Sequence, residues 1–201
     1  SNFEKSNDFF TIKNINIVNN HLIKEKNIKE KLKEIYKKNI FSITTEDIII
    51  PLKNIDFLHS VKVDKKYPNT IIIKIIETKP VAKFTKGKTK YLLDNLSNIV
   101  LNKYEKNFNQ LPNIFGDKAE INFINFSNKL KKNNFPRKKI LNYYYFQIER
   151  WDIQLLNNKI IKFPYNKVDK AIKKSMELLD NKEFQNYNII DLRVDGKIIV
   201  E

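Results

Sequence analysis

The sequence predicts an α+β chain in two parts: a β-α-α-β-β unit over residues 10–81 and a mostly antiparallel β unit with flanking helices over residues 82–201. Two observations predict the first part. An apolar stripe runs at helical spacing through Lys24–Lys38, and a β-branched run at Thr70–Ile76 follows a Tyr-Pro-Asn turn. The second part is predicted by a series of short strands separated by Asn-Asn and Asp-Gly turns.

The first part begins with a strand and continues through two helices. Phe10–Val18 alternates apolar and polar residues, a pattern that predicts a strand. Lys24–Lys38 places its apolar residues on one face and so predicts a helix that covers a sheet. Thr44 and Asp47 resemble a capping box, but Pro51 inside the second helix lacks an N–H and clashes with the preceding turn. That helix is therefore expected to be short, kinked or late in starting.

A hairpin closes the first part. Ser60–Lys66 alternates around two valines, and Thr70–Ile76 is almost continuously β-branched, as in a strand covered on both faces or nearly so. The Tyr67-Pro68-Asn69 turn between them predicts antiparallel pairing. Two consecutive helices followed by a hairpin must pack on one face of a small mixed sheet.

After Lys79-Pro80 the pattern changes to short strands separated by turns. Asn157-Asn158 and Asp195-Gly196 are hairpin signals, and the second of them indicates a type I′ turn. The predicted elements, in chain order, are strands at Tyr91–Asp94 and Ile99–Leu101, a loop over Leu111–Gly116, a helix over Lys118–Lys132, strands at Ile140–Glu149, Trp151–Leu156 and Lys159–Phe163, a helix over Asn166–Leu179 with Asn166 as N-cap, and strands at Ile189–Val194 and Lys197–Val200.

Composition excludes several classes of protein. The chain of 201 residues has no cysteine, which rules out disulfides, thiolate zinc sites and a cysteine nucleophile. Its net charge of +15 allows a nucleic-acid partner, yet the excess is spread as +5 over residues 1–80 and +10 over residues 81–201. A nucleic-acid footprint concentrates its charge on one element, so nucleic-acid binding is the weaker alternative.

Residues with catalytic potential do not converge. His21 and His59 are the only histidines, and they lack a metal-ligand spacing. Gly87-Lys88-Thr89 resembles the end of a phosphate loop, but Ala82 stands where that loop needs its other glycine. The sequence therefore predicts no catalytic residues, no bound metal and no cofactor.

Three stretches near the end of the first part resemble a POTRA domain (polypeptide-transport-associated). Val61–Thr70, Ile73–Glu77 and Pro80–Ala82 match its pattern of a strand, an aromatic-Pro turn, a second strand and an E-x-x-P-x-A sequence. Later matches resemble the FtsQ/DivIB family of bacterial cell-division proteins. They are a W-x-L-x-L-x-N hairpin at Arg150–Asn158, an LP-x-hydrophobic-x-G loop at Leu111–Gly116 and a V/I-D-L-R strand at Ile189–Arg193.

This resemblance implies an inner-membrane protein with one membrane helix before Ser1, the POTRA domain next to the membrane and the β domain beyond it, on the periplasmic side. Members of the family are divisome scaffolds, not enzymes. They bind FtsB/FtsL-type partners chiefly through the last strands of the β domain, and other division proteins could bind the POTRA domain. Carried over to this sequence, the partner-binding residues are Arg193, Val194, Asp195, Gly196, Lys197, Ile198, Ile199 and Val200.

The C-terminal strand also suits partner binding on physical grounds. A strand after a tight turn easily lies at a sheet edge, where unpaired N–H and C=O groups can accept a guest strand. Lys197–Val200 carries one charge and is poorly protected against such pairing. The alternatives for this strand are an ordinary edge strand and a strand covered by its own chain. The alternatives for the whole chain are a POTRA module of an outer-membrane assembly or secretion protein and a nucleic-acid binder.

Overall fold

The computed structural model describes residues 8–104 and 108–201. The chain folds into two compact units, of which the first ends at Lys79 and the second begins at Pro80. The described residues form a three-stranded sheet in the first unit and a nine-stranded sheet in the second, and both units contain helices. The α+β class predicted from the sequence is confirmed.

The first unit has the β-α-α-β-β order that the sequence predicts. Its elements are β1 (Asn14–Val18), α1 (Glu25–Lys31), a 3₁₀ segment (Lys33–Lys37), α2 (Thr45–Leu52), β2 (Leu58–Lys66) and β3 (Thr70–Glu77). The central strand β3 is parallel to β1 and antiparallel to β2, so the sheet is mixed. Ile71, Ile73 and Ile75 of β3 are fully buried, whereas Lys74 on the other face is exposed. The strand is therefore covered mainly on one face rather than on both.

The helix predicted over Lys24–Lys38 is divided in two. The α-helix ends at Lys31, and the N–H of Leu32 is shared between the carbonyls of Ile28 and Lys29, which tightens the chain into the following 3₁₀ segment. Ile28, Leu32 and Ile35 are all buried, so the predicted apolar stripe is correct although the helix type changes along it.

Pro51 shortens α2 without breaking it. The predicted capping box is present, because Thr44 accepts from the N–H of Asp47 and the Asp47 carboxylate accepts from the N–H of Thr44. The helix has eight residues, and Pro51 is the seventh of them. Because it stands in the last turn, its missing N–H removes a single intrahelical hydrogen bond.

The carboxylate of Glu77 anchors the segment between β1 and α1. It accepts hydrogen bonds from the backbone N–H groups of His21 at 2.8 Å, Leu22 at 2.9 Å and Ile23 at 2.9 Å. Glu77 is the glutamate of the E-x-x-P-x-A sequence. This motif residue therefore has a structural role at the end of β3.

Glu77→Ala should lower the free energy of unfolding by about 2 kcal/mol, because three backbone donors lose a charged acceptor. Chemical denaturation would measure the loss. Glu30→Ala, which changes an exposed residue of α1, is the matched control and should alter the free energy of unfolding by less than about 0.5 kcal/mol. Equal losses in the two variants would contradict the anchoring role.

The second unit is a large sheet with two α-helices among its described residues. Its elements are β4 (Pro80–Lys86), β5 (Thr89–Asp94), β6 (Ile99–Leu101), β7 (Asn113–Phe115), α3 (Ala119–Lys132), β8 (Ile140–Phe146), β9 (Arg150–Leu155), β10 (Ile160–Lys162), α4 (Val168–Asp180), β11 (Ile189–Asp191) and β12 (Ile199–Val200). The strands lie in the order β12-β11-β10-β9-β8-β7-β4-β5-β6. Five of the eight strand pairs are antiparallel, as predicted for most of the sheet.

Two local predictions between β6 and α4 are wrong. The predicted loop over Leu111–Gly116 contains β7, which pairs in parallel with β4 and β8. Three residues are too few to show a strand period, so only the neighbouring strands define it. Asn166 does not cap α4, because the helix begins at Val168 after Lys167 adopts a left-handed φ of 52°.

Aromatic side chains fill the core between this sheet and its helices. The Trp151 ring on β9 stacks on Phe126 of α3, with ring centroids 5.3 Å apart, and meets Tyr143 of β8 edge to face. Tyr143 lies in register with Ile153 of β9, which lies opposite Ile161 of β10, and all three are buried. This face of the sheet is the covered one, so the alternating residues of the same strands point to the opposite face.

Gly116 allows a close backbone approach at the end of β7. Its φ is +116°, and a Cβ placed there would lie 2.2 Å from the backbone oxygen of Tyr145. Any side chain would therefore push β8 away. This requirement explains the glycine of the LP-x-hydrophobic-x-G sequence.

Candidate partner-binding edge

The residues assigned to partner binding form a loop and the last strand. Arg193 to Ile198 lie in the loop 192–198, and Ile199–Val200 form β12. β12 is the terminal strand of the nine-stranded sheet. It is shorter than the predicted strand Lys197–Val200, and the turn is not type I′, because Gly196 has a positive φ and Asp195 does not. A loop of seven residues replaces the predicted tight hairpin.

Backbone hydrogen bonds define the pairing of this edge. The N–H of Glu201 donates to the carbonyl oxygen of Ile189 at 3.2 Å, and the N–H of Ile189 donates to the carbonyl oxygen of Glu201 at 3.0 Å. In an antiparallel ladder such hydrogen-bonded pairs alternate with pairs that make no mutual bonds. The direction of each backbone group along β12 follows from this alternation.

Alternate residues of β12 therefore direct their backbone N–H and C=O groups toward the sheet and away from it. Ile199 lies opposite Asp191, two residues from the bonded pair, so its N–H and C=O point inward. Val200 lies opposite Ile190 in a non-bonded pair, so its N–H and C=O point outward.

The loop before β12 is tied to α4 through Asp195. Its carboxylate lies 2.5 Å from Nζ of Lys167 and 3.0 Å from Nζ of Lys170, at the start of α4. The hydrogen bonds from Lys167 and Lys170 lower the pKa of Asp195 to about 2. Both lysines are solvent-exposed, so these ion pairs orient the loop more than they stabilise the fold.

Arg193 clamps the end of β11. Its Nε lies 2.9 Å from both carboxylate oxygens of Asp191, and its Nη2 lies 2.5 Å from Oδ2. Burial favours a raised pKa for the Asp191 carboxyl, but the side-chain and backbone hydrogen bonds from Arg193 outweigh it and lower the pKa. This ion pair holds Arg193, the first residue of the candidate edge, against β11, the strand that pairs with β12.

A buried aspartate lies two strands further in, on the same face. Asp152 of β9 is opposite Lys162 of β10, which is opposite Asp191 of β11. Asp152 is 7% exposed, and its Oδ1 lies 3.4 Å from Nη1 of Arg150, which is 9% exposed. Burial raises the pKa of Asp152 to about 6, although the positive charges of Arg150, Lys162 and Arg193 oppose the rise.

Ionisation of Asp152 should make stability depend on pH. Its pKa is about 6 in the folded chain and about 3.9 in the unfolded chain, so the folded state binds more protons between these values. The free energy of unfolding should therefore fall as pH rises from about 4 to about 6, by on the order of 2–3 kcal/mol from this group. The variant Asp152→Asn should lack this pH-dependent part of the free energy of unfolding. Thermal melts of both proteins across that range would test it, and parallel curves would contradict it.

Lys159 braces the segment that leads into β11, a role that the sequence does not reveal. The side chain is 8% exposed, and its ammonium donates to the carbonyl oxygens of Phe184 at 3.2 Å, Gln185 at 3.4 Å and Tyr187. These acceptors are more than twenty residues away in sequence. No local pattern could indicate them, because a lysine beside a hairpin turn is usually solvated.

A groove runs along the same edge. It has a volume of about 600 Å³ between α4 and the loop 192–198. Ala171, Leu192 and Ile198 contribute apolar surface, and Lys174 and Lys197 are among the lysines that line it. The groove therefore combines an apolar surface with positive charge, beside the loop that leads into β12.

The described residues hold no group of three or more His, Asp or Glu side chains arranged to bind a metal ion. Within residues 8–104 and 108–201, no helix is both long and apolar enough to cross a membrane. The chemistry that the edge offers is hydrogen bonding, apolar contact and charge. The fold thus defines a protein with an N-terminal POTRA domain and a β unit that ends in a candidate strand-pairing edge.

Comparisons with known proteins agree with that class. The family model described as POTRA domain, FtsQ-type, matches residues 10–78. The cell division protein FtsQ of Rickettsia typhi is 27% identical over 194 residues, which cover 96% of this chain and 73% of that protein. FtsQ of Rickettsia prowazekii is 28% identical over 195 residues, covering 96% and 72%, and FtsQ of Rhizobium meliloti is 21% identical over 194 residues, covering 96% and 63%. Residues 10–78 therefore form an FtsQ-type POTRA domain, and the chain is similar to FtsQ proteins over 96% of its length, as its motifs indicate. These findings support a cell division protein.

Proposed function

We propose that this protein is a non-enzymatic divisome scaffold that links early and late division proteins by binding FtsB/FtsL-type partners. The partner adds a strand to β12, and the site comprises the residues from Arg193 to Val200. In this proposal residues 10–81 act as the POTRA domain and residues 82–201 as the β domain. Both lie on the periplasmic side of the inner membrane.

The observation that carries the proposal is the open side of β12. Its outward backbone groups belong to Val200, and the sheet places no strand of the described residues beyond them. Val194, Ile198 and Ile199 are 50%, 39% and 48% exposed, so an added strand could also bury apolar side chains. Strand addition uses both kinds of contact: main-chain hydrogen bonds give affinity and alternate side chains give specificity.

The surroundings of the edge support an apolar and acidic partner segment. Five lysines line the groove, against the carboxylates of Asp195 and Glu177; they are Lys167, Lys170, Lys173, Lys174 and Lys197. Apolar side chains of a bound segment would pack on Ala171, Leu192 and Ile198, and flanking carboxylates would pair with the lysines. Such pairs would affect the association rate and its salt dependence more than the final affinity.

Titration with the extracytoplasmic segments of FtsB/FtsL-type proteins from the same bacterium would test the proposal. At ~150 mM salt we expect saturable binding of at least one segment, measured by calorimetry. The chain should show no comparable binding to duplex DNA in a filter assay, because dispersed charge is screened at that salt concentration. Retention of DNA without binding of either segment would favour the nucleic-acid alternative and contradict the scaffold proposal.

A further inference from the structure

Six basic side chains form a cluster at the C-terminal end of α3 and in a short 3₁₀ segment, Arg137–Lys139, that follows it. Residues 121–148 contain no aspartate and no glutamate. Five of the six basic residues are exposed, and the sixth is half-buried. We call these six residues the basic cluster; they are Lys129, Lys131, Lys132, Arg137, Lys138 and Lys139.

The fold brings the two groups of cations together. The N–H of Phe135 donates to the carbonyl oxygen of Leu130 at 2.9 Å, which folds the chain back at the end of α3. Nη1 of Arg137 donates to Oγ of Ser127 at 3.0 Å, so the 3₁₀ segment lies beside the last turns of the helix. Phe135 and Ile140 are both buried and fix the backbone on either side of the 3₁₀ segment.

The carboxylates of the described residues leave most of this charge uncompensated. No member of the basic cluster forms an ion pair with a carboxylate of residues 8–104 or 108–201. Asp169 of α4 lies close enough that the hydrogen bond from Asn133 and the positive charges of Lys132 and Lys129 lower its pKa. With Asp169 included, the local balance is six positive charges against one negative, a net +5.

Stabilisation of the helix end explains only half of the basic cluster. Lys129, Lys131 and Lys132 lie in the last turn of α3, where cations interact favourably with the negative end of the helix dipole. That effect falls off within the last turn, and the three cations of Arg137–Lys139 lie outside the helix. Like charges this close repel one another, and a bound anion would relieve the repulsion.

We propose that the basic cluster binds an acidic segment of a partner protein. The fold already holds one carboxylate at this place, because Nδ2 of Asn133 donates to Oδ1 of Asp169 at 2.6 Å. Aspartate and glutamate side chains of a bound segment would pair with the exposed lysines in the same way, which mainly raises the association rate. The basic cluster shares no residue with β12 or with the groove beside α4, so this contact goes beyond the proposed function.

The side chains around the basic cluster favour an acidic protein over a bilayer or a nucleic acid. Leu130, Phe135 and Ile140 are buried, so residues 127–140 present no large apolar side chain that could enter the acyl boundary. The same stretch presents no exposed aromatic ring on which a base could stack. Leu156, which is 62% exposed and donates its N–H to the carbonyl oxygen of Lys139 at 2.8 Å, offers a single apolar contact of the size that a peptide side chain covers.

Titration of the 201-residue chain with a short, fluorescently labelled poly-L-glutamate tests the proposal. At ~150 mM salt we expect saturable binding, measured by fluorescence anisotropy. A variant in which four exposed lysines become glutamine should bind at least about tenfold more weakly, because four exposed ion pairs together contribute on that order. Its substitutions are Lys131→Gln, Lys132→Gln, Lys138→Gln and Lys139→Gln.

The matched control has the same net charge but keeps the basic cluster. It replaces four exposed lysines of the first unit that stand among glutamates, by the substitutions Lys24→Gln, Lys26→Gln, Lys31→Gln and Lys33→Gln. Because binding depends on the local charge rather than on the total, this variant should bind poly-L-glutamate within about twofold of the original chain. Thermal melts of both variants establish that they are folded. If the cluster variant is unfolded, Lys138→Gln with Lys139→Gln replaces it, with Lys31→Gln and Lys33→Gln as its control.

Three outcomes would overturn the proposal. They are no saturable binding by the original chain, equal losses in the cluster variant and its control, and tighter binding of phosphatidylglycerol vesicles or duplex DNA that the cluster variant loses. The last outcome would assign the basic cluster to a lipid surface or to a nucleic acid. Val200→Pro should bind poly-L-glutamate like the original chain, so this proposal and strand addition at β12 fail separately.

Discussion

Val200→Pro is expected to leave the melting temperature nearly unchanged and to weaken partner binding at least about tenfold. The N–H of Val200 points away from the sheet, so proline there removes no bond of the fold. It does remove a donor that an added strand needs, and its ring obstructs the approach. An interstrand hydrogen bond contributes roughly 0.5–1.5 kcal/mol net, and ~1.4 kcal/mol is a factor of ten in affinity.

Ile199→Pro should behave in the opposite way. The N–H of Ile199 points toward Asp191, so proline there breaks the pairing of β12 and should lower the free energy of unfolding by about 1–3 kcal/mol. Leu101→Pro is the matched control, because Leu101 ends β6 at the opposite edge of the sheet. Its backbone N–H also points away from the sheet. Calorimetric titration and thermal melts would compare the three variants. Normal binding by Val200→Pro would show that β12 is not the recognition strand.

Trp151→Ala is expected to cause a large loss of stability, about 3–5 kcal/mol. Trp151 is 5% exposed and touches Phe126, Tyr143 and Tyr145, whose rings cannot all move to fill the space that it leaves. Because a domain is stable by only about 5–15 kcal/mol, the second unit of the variant would be close to unfolding.

Chemical denaturation of the second unit, residues 80–201, monitored by near-ultraviolet circular dichroism would measure this loss. Trp151 is the single tryptophan of the chain, and the surrounding tyrosines supply the signal of the variant that lacks it. Tyr165→Ala is the control, because Tyr165 is 60% exposed and its loss should cost less than about 0.5 kcal/mol. A loss below about 1 kcal/mol for Trp151→Ala would contradict the packing of the aromatic core around this ring.

Much of the first unit could be predicted from local sequence. The stripe of Ile28, Leu32 and Ile35 repeats at helical spacing, and the β-branched residues of β3 follow a turn signal. The capping box of Thr44 and Asp47 spans four residues and is complete within them. Each of these signals lies within one element, which is why the element order was correct while the exact ends were not.

What the sequence could not predict depends on distant partners. The three residues of β7 become a strand because β4 and β8 flank them, and the buried Lys159 finds its acceptors in a later segment. The loop before β12 takes its course from the ion pairs of Asp195 with α4, and the Asp-Gly pair alone indicates a tighter turn. The backbone groups of the candidate edge that point outward are likewise defined by the hydrogen bonds between Glu201 and Ile189. No local sequence pattern encodes that pairing.

Amide hydrogen exchange of the chain with and without its bound partner segment is the most direct test of strand addition at β12. In the free chain the outward N–H of Val200 should exchange quickly, because no strand of the described residues covers it. In the complex that N–H should become protected, while the outward N–H groups of Ile99 and Leu101 at the opposite edge should stay unchanged. Unchanged exchange at Val200 in a saturated complex, or protection at β6 instead, would contradict the account.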